Sequence, residues 1–166
     1  MSKLLKLDEI MLDRTIRATL EGLEMAGVVP NAVGASRVGT MPREVSVIVS
    51  LIGSSNGSLM LKVSKKCAAF LASRLLDEES YEFTDDTLDG ICEIGNIIAG
   101  SAKRLLLDTE YAFQSISCPA LVMGHNYDVH HYQGMTVVAV EFELTELPRI
   151  HMNERTFSVS IALMKS

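Results

Sequence analysis

Residues 84–107 read TDDTLDGICEIGNIIAGSAKRLLL. At about 100° per residue, Ile91, Ile94, Gly95, Ile98, Ala102, Leu105 and Leu106 fall on one broad arc, with Cys92 and Ala99 at its edge. That is the pattern of a helix lying with one side on a core. Thr84 suits the N-cap, and Asp85 and Asp86 complement the positive end of the helix dipole. A long helix is therefore predicted from Thr84 to about Leu107. Opposite the apolar arc, Asp89, Glu93, Asn96 and Gly100 recur at spacings of four, three and four, which places them in one narrow exposed line.

Working outward, residues Leu7 to Gly27 predict a first long helix, with Ile16, Leu20, Leu23 and Ala26 at helical spacing and Gly27 at the C-cap. Val28 to Arg43 holds Pro30, Gly34, Gly39 and Pro42 and reads as a loop or irregular extended segment. Glu44 to Gly53 is rich in Val and Ile and reads as a strand. Residues 54–57, SSNG, form a turn signal because Asn-Gly accepts positive φ, and Leu59 to Val63 returns as the partner strand. Ser64 can cap a short helix. Beyond the second long helix, Tyr111 to Ser117 is strand-like, Pro119 breaks it, and Gly124 to Gly134 is a polar loop. Met135 to Thr145 and Thr156 to Met164 predict a second antiparallel pair, joined by a turn around Pro148 to Glu154.

The order helix, loop, strand, turn, strand thus occurs twice, in halves of roughly 7–83 and 84–166. TLEGLEMAG (19–27) also overlays CEIGNIIAG (92–100), matching Gly22 to Gly95 and Ala26-Gly27 to Ala99-Gly100. The expected fold is α/β in composition (α+β in arrangement), with two long helices packed on a mostly antiparallel sheet. In this alignment the first helix carries Ile16, Leu20 and Leu23 where the second carries Asp89, Glu93 and Asn96.

The 166 residues fit one domain with a real core. A hydrophobic share of 48% against 22% charged argues for a folded chain. The formal net charge is −6, and Lys and Arg pair up only at Lys65-Lys66 and Lys103-Arg104. Nucleic acids and anionic membranes require clustered positive charge, so neither is an expected partner. Cys67, Cys92 and Cys118 are far apart and form no CxxC pair, which favours neither a zinc ribbon nor a disulfide framework. Asp8 and Glu9 interrupt the N-terminus before a signal-peptide core could form, and no apolar run is long enough to span a bilayer. The expected location is the cytoplasm.

By chemistry alone, the stripe on the second helix fits a solvated face, with acidic residues early and Lys103-Arg104 late in keeping with the dipole. It also fits a surface that presents two carboxylates and a carboxamide to a partner. The segment DGICEIGNIIAGSAK (89–103) resembles the signature helix of the CheC/CheX/FliY chemotaxis phosphatases. That signature is Asp or Ser, three residues, Glu, two residues, Asn, then twenty-two residues and Pro. It is met here by Asp89, Glu93, Asn96 and Pro119 without a gap. SCPALVMG (117–124) further resembles the CheX subgroup, in which a Ser-x-Pro step leads to a Gly. CheC-like members often carry the signature twice; this sequence carries it once, as a CheX-like member does.

The resemblance implies a phosphatase that acts on the aspartyl phosphate of a CheY-type response regulator. It implies that Asn96 orients the attacking water and that Glu93 engages the regulator's active-site lysine. Asp89 and Gly100 would lie on the partner-binding face, and Pro119 would shape the adjoining loop. No cofactor of its own is implied, since the Mg2+ belongs to the regulator, and a homodimer is implied by the CheX-like relatives. A protein that docks on a receiver domain without accelerating hydrolysis is the alternative; it would keep Glu93 and tolerate loss of Asn96.

Other chemistries fit less well. His125, His130, His131 and His151, with Asp128 among them, lack any HxxxH or HExxH spacing, so no metal site is expected. Ser115 and Ser117 lack the Gly-x-Ser-x-Gly elbow of a serine hydrolase. Gly53 to Gly57 lacks the Lys-Ser/Thr ending of a phosphate loop.

Overall fold

Alternating burial along the strands sets the architecture. A computed structural model describes residues 6–38, 42–79, 82–150 and 152–165; Gly39 of the first loop and His151 lie outside them. In β2 (Val45–Ile52) and β3 (Asn56–Val63), Val45, Val47, Val49, Leu51, Leu59, Leu61 and Val63 are almost wholly buried. Their period-2 neighbours Ser46, Ser50, Ser58 and Lys62 point to the other face. The same holds for β6 (Thr136–Glu143), which buries Val138, Val140 and Phe142, and for β7 (Thr156–Met164), which buries Phe157, Val159, Ile161 and Leu163. Phe142 and Phe157 stack with ring centroids 5.2 Å apart.

These strands build a seven-stranded antiparallel sheet in the order β1-β6-β7-β3-β2-β4, with β5 also paired to β2. The apolar face is covered by α1 (Glu9–Glu24) and α3 (Asp85–Leu106), and α2 (Lys65–Leu76) packs against α3. The fold is thus α+β, with the two expected long helices in place. Asp8 caps α1 by accepting the Met11 N–H at 3.0 Å. The helix ends at Glu24 with Met25 at the C-cap, two residues before the expected Gly27, whose φ of +63° closes the following turn as Val28 and Gly27 donate back to the Leu23 and Glu24 carbonyls. Ser64 caps α2 as expected, accepting from the Cys67 N–H at 3.0 Å.

The segment 28–43, expected as a loop or irregular extended stretch, contains a strand, β1 (Asn31–Ser36), which pairs with β6 at the sheet edge. Its register shifts between Ala32 and Gly34, and nearly all of it is exposed, so it shows none of the alternation that marks a half-buried strand. The β2–β3 turn sits slightly earlier than the Asn-Gly pair. Neither residue has positive φ. Instead Asn56 bridges the turn through its carboxamide, accepting from the Gly53 N–H at 3.2 Å and donating to the Gly53 carbonyl at 3.1 Å. Gly57 is required for another reason: a Cβ there would sit 1.8 Å from the Ala162 carbonyl oxygen on β7.

Only Ser115–Ile116 of the stretch 111–117 is a strand (β4), because Tyr111 and Phe113 are spent on filling the core. A further strand, β5 (Ala120–Met123), follows, and the turn before β7 holds a short helix, α4 (Met152–Arg155).

On the second face of the sheet, Ser46, Lys62, Ser158 and Glu141 form one row across four strands. The 124–134 segment lies over it. The Tyr127 hydroxyl hydrogen-bonds Ser46, and its ring lies 5.8 Å from the Lys62 ammonium. Arg43 reaches into the same layer, pairing with Glu141 and donating to Thr156 Oγ1 at 3.0 Å.

Candidate functional site

Two glycines set the rotation of α3. A Cβ at Gly95 would lie 2.7 Å from Val47 Cγ1 on the sheet, and a Cβ at Gly90 would lie 2.8 Å from the Ala72 Cβ of α2. The helix can therefore press closely on both neighbours, with Ile91, Ile94, Ile98, Ala102 and Leu106 driven into the core. At its start the Thr84 N–H donates to Thr87 Oγ1 at 2.9 Å, and Thr87 Oγ1 donates to the Glu82 carbonyl at 2.8 Å. At its far end Arg104 forms an ion pair with Glu21 of α1.

With that rotation fixed, the sequence-predicted stripe faces outward. Asp89, Glu93 and Gly100 are exposed and Asn96 is half-buried. From Asp89 to Gly100 the line runs about 16 Å along the axis. Its N-terminal half is acidic, its C-terminal end is flanked by Lys103 and Arg104, and the uncharged Asn96 stands between. A Cβ at Gly100 would meet nothing within 4 Å, so the surface one turn beyond Asn96 is bare.

A carboxamide neither takes up nor loses a proton near neutral pH but offers both donor and acceptor. The line can thus hold water and meet a cation. Burial, and then the charge of Asp89, push the pKa of the neighbouring Cys92 thiol above the ordinary thiol value, which disfavours the reactive thiolate.

Pro119 is not part of this line. It lies in the break between β4 and β5, both of which pair with β2 and run against α3. Having no N–H, it cannot continue the ladder. The hydroxyl of Ser117 fills the gap, accepting the Ser50 N–H at 2.9 Å and donating to the Cys118 carbonyl at 2.9 Å. The Ser-x-Pro step is therefore a strand interruption whose hydrogen bonds are made good locally.

Asp89 and Glu93 also line something that the helical wheel did not show. Together with Leu75, Leu76, Glu78 and Asp86 they enclose an open cleft of about 520 Å3 between the end of α2 and the first turns of α3. A wheel of one helix carries no information about which second helix ends beside it.

The histidines of the 124–134 segment do not converge. His125 and His130 are exposed, while His131 is half-buried, its pKa lowered by burial and by the nearby Lys62 charge. Among the described residues, no group of three or more His, Cys, Asp and Glu is placed to hold a metal. No helix among them is long and apolar enough to cross a membrane.

Comparison with known proteins adds the family. No curated protein sequence matches the chain. Among solved structures, a CheX chemotaxis protein from Desulfovibrio desulfuricans is 27% identical with a TM-score of 0.74, over 94% of this chain and 99% of that one. A putative chemotaxis protein from Desulfovibrio vulgaris Hildenborough is 25% identical with a TM-score of 0.76, over 95% and 99%. CheX from Borrelia burgdorferi, solved in a complex with CheY, BeF3 and Mg2+, is 28% identical with a TM-score of 0.69, over 96% and 100%. The protein-family model for the chemotaxis phosphatase CheX matches residues 45–143, which include the whole of α3 and Pro119. On that match the chain belongs to the CheX family of chemotaxis phosphatases.

Proposed function

We propose that this chain hydrolyses the aspartyl phosphate of a CheY-type response regulator. Water attacks the phosphorus, the bond to the aspartyl oxygen breaks, and the carboxylate and inorganic phosphate leave. Asn96 holds the water in line, and Glu93 pairs with the regulator's active-site lysine. Asp89 and Gly100 belong to the same docking face. The Mg2+ is the regulator's own, as the metal in the Borrelia complex with CheY suggests. Phosphoryl transfer gains mainly from positioning and electrostatic stabilisation, so a helper needs no nucleophile.

The observation that carries this reading is the outward line on α3. A carboxylate and a carboxamide stand three residues apart on a helix whose rotation is fixed by Gly90 and Gly95, with bare surface at Gly100. The test is the decay of phosphorylated regulators with and without the protein. Acceleration lost in Asn96→Ala, with regulator binding kept, supports catalysis. Binding without acceleration in the parent supports the docking module instead.

Two further proposals belong to this reading. Edge strand β1, with Val33 54% exposed, suits pairing with a second copy in a cytoplasmic homodimer; sedimentation at 18 kDa alone would contradict that. The halves 7–83 and 84–166 are proposed as diverged copies within one domain. In support, the strand order is symmetric about the β3–β7 pair, each half sending its outer strand to the other half's middle strand.

A further inference from the structure

The cleft beside the stripe has a composition of its own. α2 stops abruptly at Leu76 because Asp77 adopts a left-handed conformation (φ 56°), the only such non-glycine residue among those described. The Glu78 N–H then closes the turn on the Ser73 carbonyl at 2.8 Å. This stop leaves Leu76 46% exposed beside the half-buried Leu75, although the rest of that face of α2 is core. Asp86, Asp89 and Glu93 of α3 line the same cleft, together with Glu78 beyond the α2 stop. The two helices touch where Gly90 meets Ala72, and the cleft opens from that contact.

Among the described residues, the cleft is therefore lined by an apolar wall and four carboxylates and by no Lys or Arg. Among the described residues, none of the four takes part in an ion pair. Gathering like charges around exposed leucine costs free energy in the isolated chain. A partner that brings cations and an apolar side chain recovers that cost.

We infer that this cleft is a specificity groove for the response regulator, receiving an amphipathic segment beside the phosphorylation site that carries an apolar side chain flanked by Lys or Arg. The inference rests on the proposed function, because Glu93 is shared between the groove and the catalytic line. A regulator held at Asn96 and Glu93 must present its neighbouring surface to Leu76, Glu78 and Asp86. The line supplies chemistry common to all aspartyl phosphates, whereas the groove discriminates among the proteins that bear them. Charges at the groove raise the rate of encounter, and the apolar contact slows release.

The test uses the full-length protein, the variant Leu76→Ser and the double variant Glu78→Gln/Asp86→Asn, none of which alters Asn96 or Glu93. The probes are CheY-type receivers of the same genome, phosphorylated with acetyl phosphate, and the same receivers loaded with BeF3 and Mg2+ for binding. The groove predicts KM raised roughly five- to tenfold at unchanged kcat for the preferred receiver in both variants, with smaller changes for poorer receivers. The charge variant also loses part of the salt dependence of kcat/KM. Parent-like KM and selectivity in both variants, with activity still abolished by Asn96→Ala, overturns the groove alone. Full activity in Asn96→Ala overturns the catalytic reading, while weakened binding by Leu76→Ser would still uphold the groove. Absence of both hydrolysis and binding across all receivers overturns both.

Discussion

The two long helices lie on the same sheet, but they meet it differently. On α3, a Cβ at Gly95 would strike Val47, so that glycine faces the sheet. On α1, a Cβ at the aligned Gly22 would come within 2.6 Å of Ile98 Cγ1 and 3.1 Å of the Ile98 Cα, so that glycine faces α3. α1 is therefore turned toward its neighbour, and the positions matching the polar stripe are drawn inward: Leu23 is fully buried, and Ile16 and Leu20 are half-buried. On α3 the matching Asp89 and Glu93 are exposed and Asn96 is half-buried. A short sequence match between two helices thus fixes neither the face each turns outward nor the chemistry that face can host; the rotation does.

The contrast is broken most severely at Leu23. Leu23→Ala should cost about 2–5 kcal/mol of stability, while Glu93→Ala, at the exposed α3 position aligned with Leu20, should stay within about 0.5 kcal/mol. Thermal or urea unfolding of the two variants measures the gap directly. Equal stabilities would mean that α1 and α3 bury equivalent faces.

The glycines give the next effect. Gly22→Ala meets Ile98 Cγ1 at 2.6 Å with the Ile98 backbone at 3.1 Å behind it, and should destabilise by about 1–3 kcal/mol. Gly95→Ala meets the Val47 side chain but no neighbouring backbone within 4 Å, and should cost less. Gly100→Ala meets nothing, and alanine's helix propensity should stabilise it by up to about 1 kcal/mol. Chemical denaturation of the three variants ranks them, and the reverse order would refute the packing described.

The start of α1 supplies the smallest effect. Burial alone would raise the Asp8 pKa, but hydrogen bonds from the Met11 N–H and the Tyr111 hydroxyl outweigh it and hold the group below its ordinary 3.8. A carboxylate depressed in the folded state contributes stability that is complete above the unfolded value and is lost as pH falls through the folded one. The parent should therefore lose stability below about pH 4, and Asp8→Ala should start about 1 kcal/mol lower and lose less over that range. Parallel pH profiles for the two proteins would remove Asp8 from the account. α3, which begins on Thr84, has no such titrating cap.

Much of this was legible in the sequence. The apolar arc of α3, its limits within a residue, the Ser64 cap and strand β7 follow from periodicity and capping chemistry. So does the stripe, because exposure opposite a core arc is a property of one helix. β1 was hidden because an edge strand of Asn, Ala and Gly buries nothing on either side and exists only through its partner β6. β5 was hidden by the Pro119 break, and Tyr111 to Phe113 reads as strand because aromatic residues that fill a core look like strand residues. The groove arises where the α2 stop at Asp77 meets the first turns of α3, a tertiary contact that no single-segment pattern encodes.

We propose that Asn96 acts on the transition state while the surrounding face docks the partner. This is tested by following phosphoregulator decay and BeF3-regulator binding for the parent and Asn96→Ala, with Leu20→Ala and Leu23→Ala as the matching α1 controls. Asn96→Ala should keep its thermal stability and its regulator affinity but no longer accelerate dephosphorylation. The α1 variants should lose stability while the folded fraction retains activity. Dephosphorylation by Asn96→Ala at the parent's rate would contradict the account.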